Sequence, residues 1–152
     1  MPILGFRRMA AILAASLFAV SLAIADPRKI NTDENRVAIG GYDTVAYFTL
    51  AKPAKGEPRF EVVWAEARWR FASAEHRDMF LRDPDRYAPR FGGFCAVGLS
   101  RGHLATVNPE AWQIVDGKLF LTFSKKSLEE LQQDIAGTVA KAEQNWPLFG
   151  QR

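Results

Sequence analysis

The sequence predicts a small α+β domain, in which an antiparallel sheet built from hairpins is covered by a long C-terminal helix. Two pairs of β-rich runs lie within residues 60–71 and 112–123. An apolar stripe with helical spacing follows them from Leu128 onward. An antiparallel sheet with a helix packed on one face is typical of the α+β class.

Residues 1–25 have the pattern of a secretory signal peptide. Arg7 and Arg8 form a short basic start, and residues 9–22 are apolar except for two serines. Small residues end the segment, so we predict cleavage before Asp26 and a periplasmic or secreted location. The apolar run is shorter than the roughly 20 residues of a membrane span, so no stable span is expected after removal of the signal. The arginine pair leaves both the general secretory and the twin-arginine routes open.

Removal of the signal leaves a nearly neutral chain. Two of the 20 Lys and Arg residues lie in residues 1–25, which leaves 18 basic against 17 acidic residues. No basic run follows, and the charges alternate in sign, so we expect no nucleic-acid partner. The chain has a single cysteine, which excludes an internal disulfide.

The domain itself is predicted to span residues 37–149, after an extended polar segment at residues 26–36. Residues 37–39 form a short strand candidate that ends at two glycines. Asp43 then precedes a short helix at residues 44–48, because an aspartate carboxylate accepts bonds from the free N–H groups of a first turn. This capping role is preferred for Asp43 over that of a catalytic acid.

Two β-rich runs at residues 60–64 and 68–71 predict a strand pair. In the second run arginines alternate with aromatic residues, so the aromatic side chains share one face of the strand. The other face carries Arg68 and Arg70, which form either a solvated surface or an anion-binding patch.

Helical signals follow the strand pair. Ser73 is the predicted N-cap of a helix over residues 74–82. Pro84 suits the first position of a further turn that carries Tyr87. Residues 90–108 contain four glycines and show no clear period, which indicates turns and close backbone approaches.

The clearest local signal is a hairpin centred on Asp116-Gly117. This pair separates β-rich runs at residues 112–115 and 118–123, and both positions of such a two-residue turn take positive φ. Successive side chains of the second run point to opposite faces of the strand, and Phe120 lies on one of them. The other face is expected to carry Leu119, Leu121 and Phe123.

The last predicted element is one continuous helix that begins after Ser124 and ends at Pro147. Its apolar positions are spaced by three or four residues and form a single stripe. The stripe consists of Leu128, Leu131, Ile135, Val139, Ala142 and Trp146.

Several motifs in one order resemble a known family. Residues 71–80 and 83–87 resemble the core of the YHS domain, with a strand that ends in an aromatic residue, a helix and an Asp-Pro-x-x-Tyr close. Three further segments resemble the exported bacterial YHS-domain proteins. These are the Gly-Tyr-Asp-x-Val-Ala-Tyr-Phe opening at 41–48, the segment at 87–96 with its Gly-Gly-aromatic-Cys-Ala end, and the Asp-Gly-Lys-Leu hairpin at 116–119.

This resemblance implies a role linked to metals. YHS domains occur beside heavy-metal transporters, and treble-clef relatives bind metal through cysteines. Where the metal-binding relatives carry cysteines, this chain has Ala72 and His76. One ligand position is therefore lost, and the other has changed its ligand type.

Four side chains are candidate ligands for copper or zinc: His76, Met79, Cys95 and His103. A thiolate, a thioether and imidazoles form a soft donor set that suits copper, and His76 and Met79 lie three residues apart on one helix face. Each residue also has an ordinary structural interpretation. Cys95 packs as a small apolar group, Met79 belongs to the core, and His103 is a solvated loop residue.

Three functions follow from these residues. The first is an exported YHS-like module that binds or senses a transition metal near Cys95. The alternative is a metal-free module for a small ligand or a protein partner, in which Cys95 only packs. The weakest is a thiol-dependent enzyme that pairs Cys95 with a histidine. The chain has no hydrolase elbow, phosphate loop, dinucleotide fingerprint or zinc-protease motif, so an enzyme is the less favoured class.

Overall fold

A computed structural model describes residues 28–149 of the chain, and the predicted signal peptide lies outside this range. Within it, two antiparallel hairpins form two separate two-stranded sheets. The strands are β1 (Glu57–Trp64), β2 (Ala67–Phe71), β3 (Asn108–Val115) and β4 (Lys118–Thr122). The helices are α1 (Ala46–Thr49), α2 (Ala74–Arg82), α3 (Pro84–Tyr87), α4 (Ala96–Ser100), α5 (Lys125–Gln133) and α6 (Ile135–Asn145), and 3₁₀ turns lie at Ile39–Gly41, Arg90–Gly93 and Trp146–Leu148. The mixture of helices and antiparallel hairpins is confirmed, but the hairpins do not join into one sheet.

The first hairpin has the predicted division of its faces. In β2, Trp69 and Phe71 are buried, while Arg68 and Arg70 point the other way. Both arginines donate their Nε–H to the carboxylate of Glu61 on β1, at 2.8 and 2.9 Å. The arginine face is therefore a solvated surface with its own internal carboxylate partner.

Glu61 is expected to make the stability of the fold depend on pH. Burial acts to raise the pKa of Glu61, but hydrogen bonds from Arg70 and Arg68 outweigh it and hold that pKa below its usual range. Because the folded pKa is lower than the unfolded one, the carboxylate stabilises the fold above the unfolded pKa of about 4.3. This stabilisation is lost as the pH falls through the folded pKa. Urea unfolding between pH 7 and pH 3 measures it.

In that experiment, the free energy of unfolding of Glu61→Gln should fall less than that of the native chain as the pH drops below the ordinary glutamate pKa. Glu129→Gln, on the exposed part of α5, is the control and should follow the native curve. Parallel curves for the native chain and Glu61→Gln would contradict the expectation.

The second hairpin turns at Asp116 and Gly117, with φ of 50° and 72° as predicted. Leu119 and Leu121 are buried on one face of β4, but Phe120 on the other face is only 3% exposed. Phe123 is 57% exposed and lies beyond the end of β4, so the prediction that it shares a face of this strand with Leu119 and Leu121 is wrong. The chain turns there because Ser124 caps α5.

Both faces of β4 are buried because this strand lies between two apolar clusters. The first cluster packs one face of β4 against the first hairpin and α2; it includes Trp69, Phe71, Phe80, Leu119 and Leu121. The second cluster packs the other face against α4 and the C-terminal helices; it includes Phe91, Cys95, Leu99, Phe120, Leu131 and Ala142. A strand buried on both sides explains why strict alternation between apolar and polar residues fails in this run.

The predicted continuous C-terminal helix is divided in two. Asp134 has non-helical backbone angles (φ −148°, ψ 73°) and separates α5 from α6. Its Oδ1 accepts a hydrogen bond from the N–H of Gly137 at 2.9 Å, so Asp134 ends one helix and caps the next. The break lets α5 pack on β3 and β4 while α6 packs on α4.

The predicted strand at residues 37–39 is also corrected. Val37 forms an isolated parallel bridge to Arg68, and Ala38 forms an antiparallel one to Thr32. Ile39 already begins a 3₁₀ turn. Each residue therefore pairs with a different partner, which leaves no continuous ladder for a strand.

Candidate functional site

His76, a predicted metal ligand, belongs to a polar network at the surface of the first cluster. Its Nδ1 lies 2.6 Å from Oδ2 of Asp43, and its Nε2 lies 3.0 Å from Oγ1 of Thr49. The Asp43 side chain is fully buried, the His76 side chain is 12% exposed, and Thr49 is exposed. The imidazole therefore bridges a buried carboxylate to a hydroxyl group that faces solvent.

Asp43 is held in place by backbone groups from two parts of the chain. Its Oδ1 accepts from the N–H groups of Val45 and Ala46 at 2.9 and 3.1 Å. The predicted bonding of Asp43 at the start of this helix is therefore confirmed. Its Oδ2 accepts from the N–H of Ala72 at 2.9 Å as well as facing His76. Asp43 thus links the start of α1 to the end of β2.

Two helix ends bring the other members of the network together. Ser73 caps α2 as predicted, and its Oγ accepts from the N–H of His76 at 3.1 Å. This cap places the imidazole on the first turn of α2, beside Asp43. Thr49 is the last residue of α1, so its hydroxyl reaches the same imidazole from the opposite side.

The other three predicted ligands lie elsewhere. Met79 is half-buried and packs against the first cluster, Cys95 belongs to the second cluster, and His103 is exposed. Among residues 28–149 there is no group of three or more His, Cys, Asp or Glu side chains that could hold a metal ion. No such group therefore contains His76, Cys95 and His103, three of the four predicted ligands. The side chain that faces Nδ1 of His76 is that of Asp43.

Cys95 is buried and bonded to the backbone. It is 1% exposed, and its Sγ accepts from the N–H groups of Gly98 and Phe123 at 3.4 and 3.2 Å. The thiol therefore caps α4 and ties that helix to the chain after β4. Helix α4 was not predicted from the sequence. Cysteine is not a favoured N-cap residue, and the glycines around it interrupt the spacing of apolar residues that would indicate a helix.

A cavity of about 420 Å³ opens between the N-terminal segment and the C-terminal turn. Arg28, Trp64, Arg90, Phe91 and Trp146 are among the residues that line it. We call it the arginine–tryptophan cavity. Its volume lies within the range of small-molecule sites.

The cationic groups of the cavity lie over aromatic rings. The guanidinium of Arg28 is 5.1 Å from the ring centre of Trp64, and that of Arg90 is 5.6 Å from that of Phe91. Both arginines are also ion-paired at the surface, Arg28 with Asp85 and Arg90 with Glu143. The Nε of Arg90 is buried and has no hydrogen-bond partner among residues 28–149.

Comparisons with known proteins identify no relative: the chain matches no protein-family model, no curated protein and no solved structure. Membership of the YHS family therefore stays a prediction that rests on the motifs themselves. Within the described part of the chain, no helix is both long enough and apolar enough to cross a membrane.

Sequence reasoning did not identify Thr49 or the arginine–tryptophan cavity. Asp43 and His76 are 33 residues apart in the chain, and Thr49 belongs to no recognisable motif. The cavity combines residues from Arg28 to Trp146. No motif in the sequence joins these residues, and composition does not say which of them meet.

Proposed function

We propose that this chain is an exported, YHS-like module that binds a small anionic ligand with a flat apolar part, without a metal. The arginine–tryptophan cavity is the single observation that carries this proposal. It combines apolar walls with a small number of polar groups, as small-molecule sites do.

The charge of the lining favours an anion. Two arginines and one aspartate, Asp85, line the cavity. An arginine guanidinium binds a carboxylate or a phosphate through charge-assisted hydrogen bonds. The Arg90 side chain as a whole is 40% exposed and lines the cavity, so its guanidinium is within reach of an anionic oxygen.

The aromatic walls favour a flat ligand. Phe91 packs against Trp146 with ring centres 6.1 Å apart and planes inclined by 62°, and Trp64 lines the same cavity. A planar apolar group gains contact area and edge-to-face interactions against such rings. An aromatic carboxylate combines both requirements.

The bonding of Cys95 supports the metal-free alternative over a metal site at the thiol. The Sγ already accepts two backbone hydrogen bonds in the second cluster. Binding of copper or zinc near Cys95 stays a prediction of the sequence, and titration of the native chain and of Cys95→Ser with either metal tests it. Equal affinities would exclude Cys95 as a ligand.

Benzoate and its uncharged counterpart benzamide are suitable probes of the cavity. Because Trp64 and Trp146 line the site, bound benzoate should quench or shift the tryptophan fluorescence of the native chain. Arg90→Gln should weaken benzoate binding roughly tenfold or more, since a hydrogen bond to a charged group contributes about 1.5–3 kcal/mol. Benzamide should bind more weakly than benzoate to the native chain.

Arg59→Gln provides the matched control. Arg59 lies on β1 and is 70% exposed, and it does not line the cavity. Its replacement should leave benzoate affinity unchanged. Equal binding of benzoate and benzamide, equal loss in both arginine variants, or no binding of benzoate would each argue against the proposed function.

A further inference from the structure

We infer that Asp43, His76 and Thr49 form a nucleophilic site in which the Thr49 hydroxyl is the group that attacks activated esters. A hydroxyl, an imidazole and a carboxylate are connected in series by contacts of 3.0 and 2.6 Å. This is the arrangement in which an imidazole acts as general base toward a hydroxyl nucleophile. The site is independent of the arginine–tryptophan cavity, none of whose lining residues belongs to the network.

The carboxylate is oriented before any substrate binds. Three backbone N–H groups donate to Asp43, those of Val45, Ala46 and Ala72. They fix both oxygens of a fully buried side chain and leave Oδ2 facing Nδ1 of His76 at 2.6 Å. A carboxylate in this position accepts the Nδ1 proton of a neutral imidazole, so Nε2 is left as the proton acceptor.

The hydroxyl of Thr49 has two acceptors within reach. Its Oγ1 lies 3.0 Å from Nε2 of His76 and 3.2 Å from the carbonyl oxygen of Val45. A hydroxyl carries one proton, and with Nδ1 protonated toward Asp43 the free lone pair of Nε2 accepts it. Rotation about one bond therefore moves the proton from the helix carbonyl to the base.

Exposure of the nucleophile allows a substrate to approach. Thr49 ends the four-residue helix α1 and is exposed, as is the neighbouring Leu50. The base behind it is largely buried, and the carboxylate is wholly buried. Burial therefore decreases from the carboxylate of Asp43 through the imidazole of His76 to the hydroxyl of Thr49. The reacting oxygen of Thr49 lies at the surface.

The reaction needs only an ester and water. Oγ1 of Thr49 attacks the ester carbonyl carbon while its proton passes to Nε2 of His76. The bond to the leaving oxygen then breaks and leaves an acyl ester on Thr49. The leaving oxygen takes the proton from Nε2, or it departs as an anion and Nε2 gives its proton to water. Water attacks this ester, its proton passes through Nε2 back to Oγ1, and a carboxylic acid is released.

Hydrolysis of p-nitrophenyl acetate by the native chain tests the inference, with release of p-nitrophenol as the readout. Thr49→Val removes the hydroxyl with little change in shape, and His76→Gln removes the base. Each variant is expected to lose the rate above buffer roughly a hundredfold, the scale of general-base catalysis. Mass spectrometry of the acid-quenched native chain should place an acetyl group on the peptide that contains Thr49.

His103→Gln is the matched control, because His103 is the other histidine of the chain and is exposed. It should hydrolyse the ester at the native rate and acquire the same acetyl group. A native rate in Thr49→Val, an acetyl group on another residue, or no hydrolysis by the native chain would each overturn the inference. Circular dichroism of each variant identifies any loss of rate that is due to unfolding, and Thr49→Ser, which keeps the hydroxyl, should then retain the activity.

Discussion

Replacement of Gly92 by alanine is expected to destabilise the domain by about 2–5 kcal/mol. Gly92 has φ of +61°, where a residue with a Cβ carries a strain of about 1–2 kcal/mol. A Cβ at this position would also lie 1.9 Å from the carbonyl oxygen of Lys29. Relief of such a contact in a packed region costs about 1–3 kcal/mol more.

The contact at Gly92 involves backbone rather than a movable side chain. The Gly92 carbonyl also accepts a hydrogen bond from the N–H of Asn31 at 2.8 Å. A shift of the N-terminal segment away from the new Cβ would therefore strain this bond and move Arg28 and Ile30, which line the arginine–tryptophan cavity. Chemical denaturation of Gly92→Ala should show the destabilisation, together with weaker binding of benzoate.

Gly102→Ala separates the two causes. Gly102 has φ of +81°, but an added Cβ there would meet nothing within 4 Å. Only the backbone strain of about 1–2 kcal/mol applies to it. An equal loss of stability in Gly92→Ala and Gly102→Ala would show that the close approach to Lys29 contributes nothing.

The second large effect is expected at Phe80. This side chain is fully buried, and its ring centre lies 5.0, 5.1 and 5.7 Å from those of Phe71, Trp69 and Trp64. Phe80→Ala should destabilise the domain by about 3–5 kcal/mol, because it removes a large apolar group and leaves a cavity that rigid rings cannot fill. Urea unfolding followed by tryptophan fluorescence measures the change.

Leu81→Ala is the control for Phe80→Ala, since it shortens an apolar side chain at the next position of α2. Leu81 is 55% exposed, and surface replacements usually change stability by no more than about 0.5 kcal/mol. A similar loss in both variants would contradict the conclusion that the burial of Phe80 causes the destabilisation, since alanine favours helix formation at both positions.

Local signals predicted the elements that depend on neighbours in the chain. The Ser73 cap marked the start of α2, and Asp116-Gly117 marked the turn between β3 and β4. Both are confirmed, because caps and tight turns are decided by hydrogen bonds and backbone angles within about four residues. The division of the C-terminal helix at Asp134 also depends on a local cap. It was not predicted, because the apolar stripe continues without a break across Asp134 and favoured one helix.

The candidate sites were predicted less well because spacing along the chain does not measure distance in space. The sequence placed His76 and Cys95 together as candidate ligands of one metal site. The structure pairs His76 with Asp43, and Cys95 packs in the other cluster. Soft-ligand chemistry suggested a shared site, whereas the burial of β4 between the two clusters keeps these side chains in separate layers.

The sequence by itself determined the α+β class, both hairpins, the start of α2 and the faces of β2, because these follow from side-chain alternation, capping and turn chemistry. Only the tertiary structure decided that the hairpins form two sheets, that β4 is buried on both faces, and that Asp43, His76 and Thr49 meet. The physical reason is that these contacts join parts of the chain that are distant in sequence and that meet only when the two apolar clusters close. How the clusters close depends on packing among residues from the whole domain, so it cannot be predicted from any short stretch of the sequence.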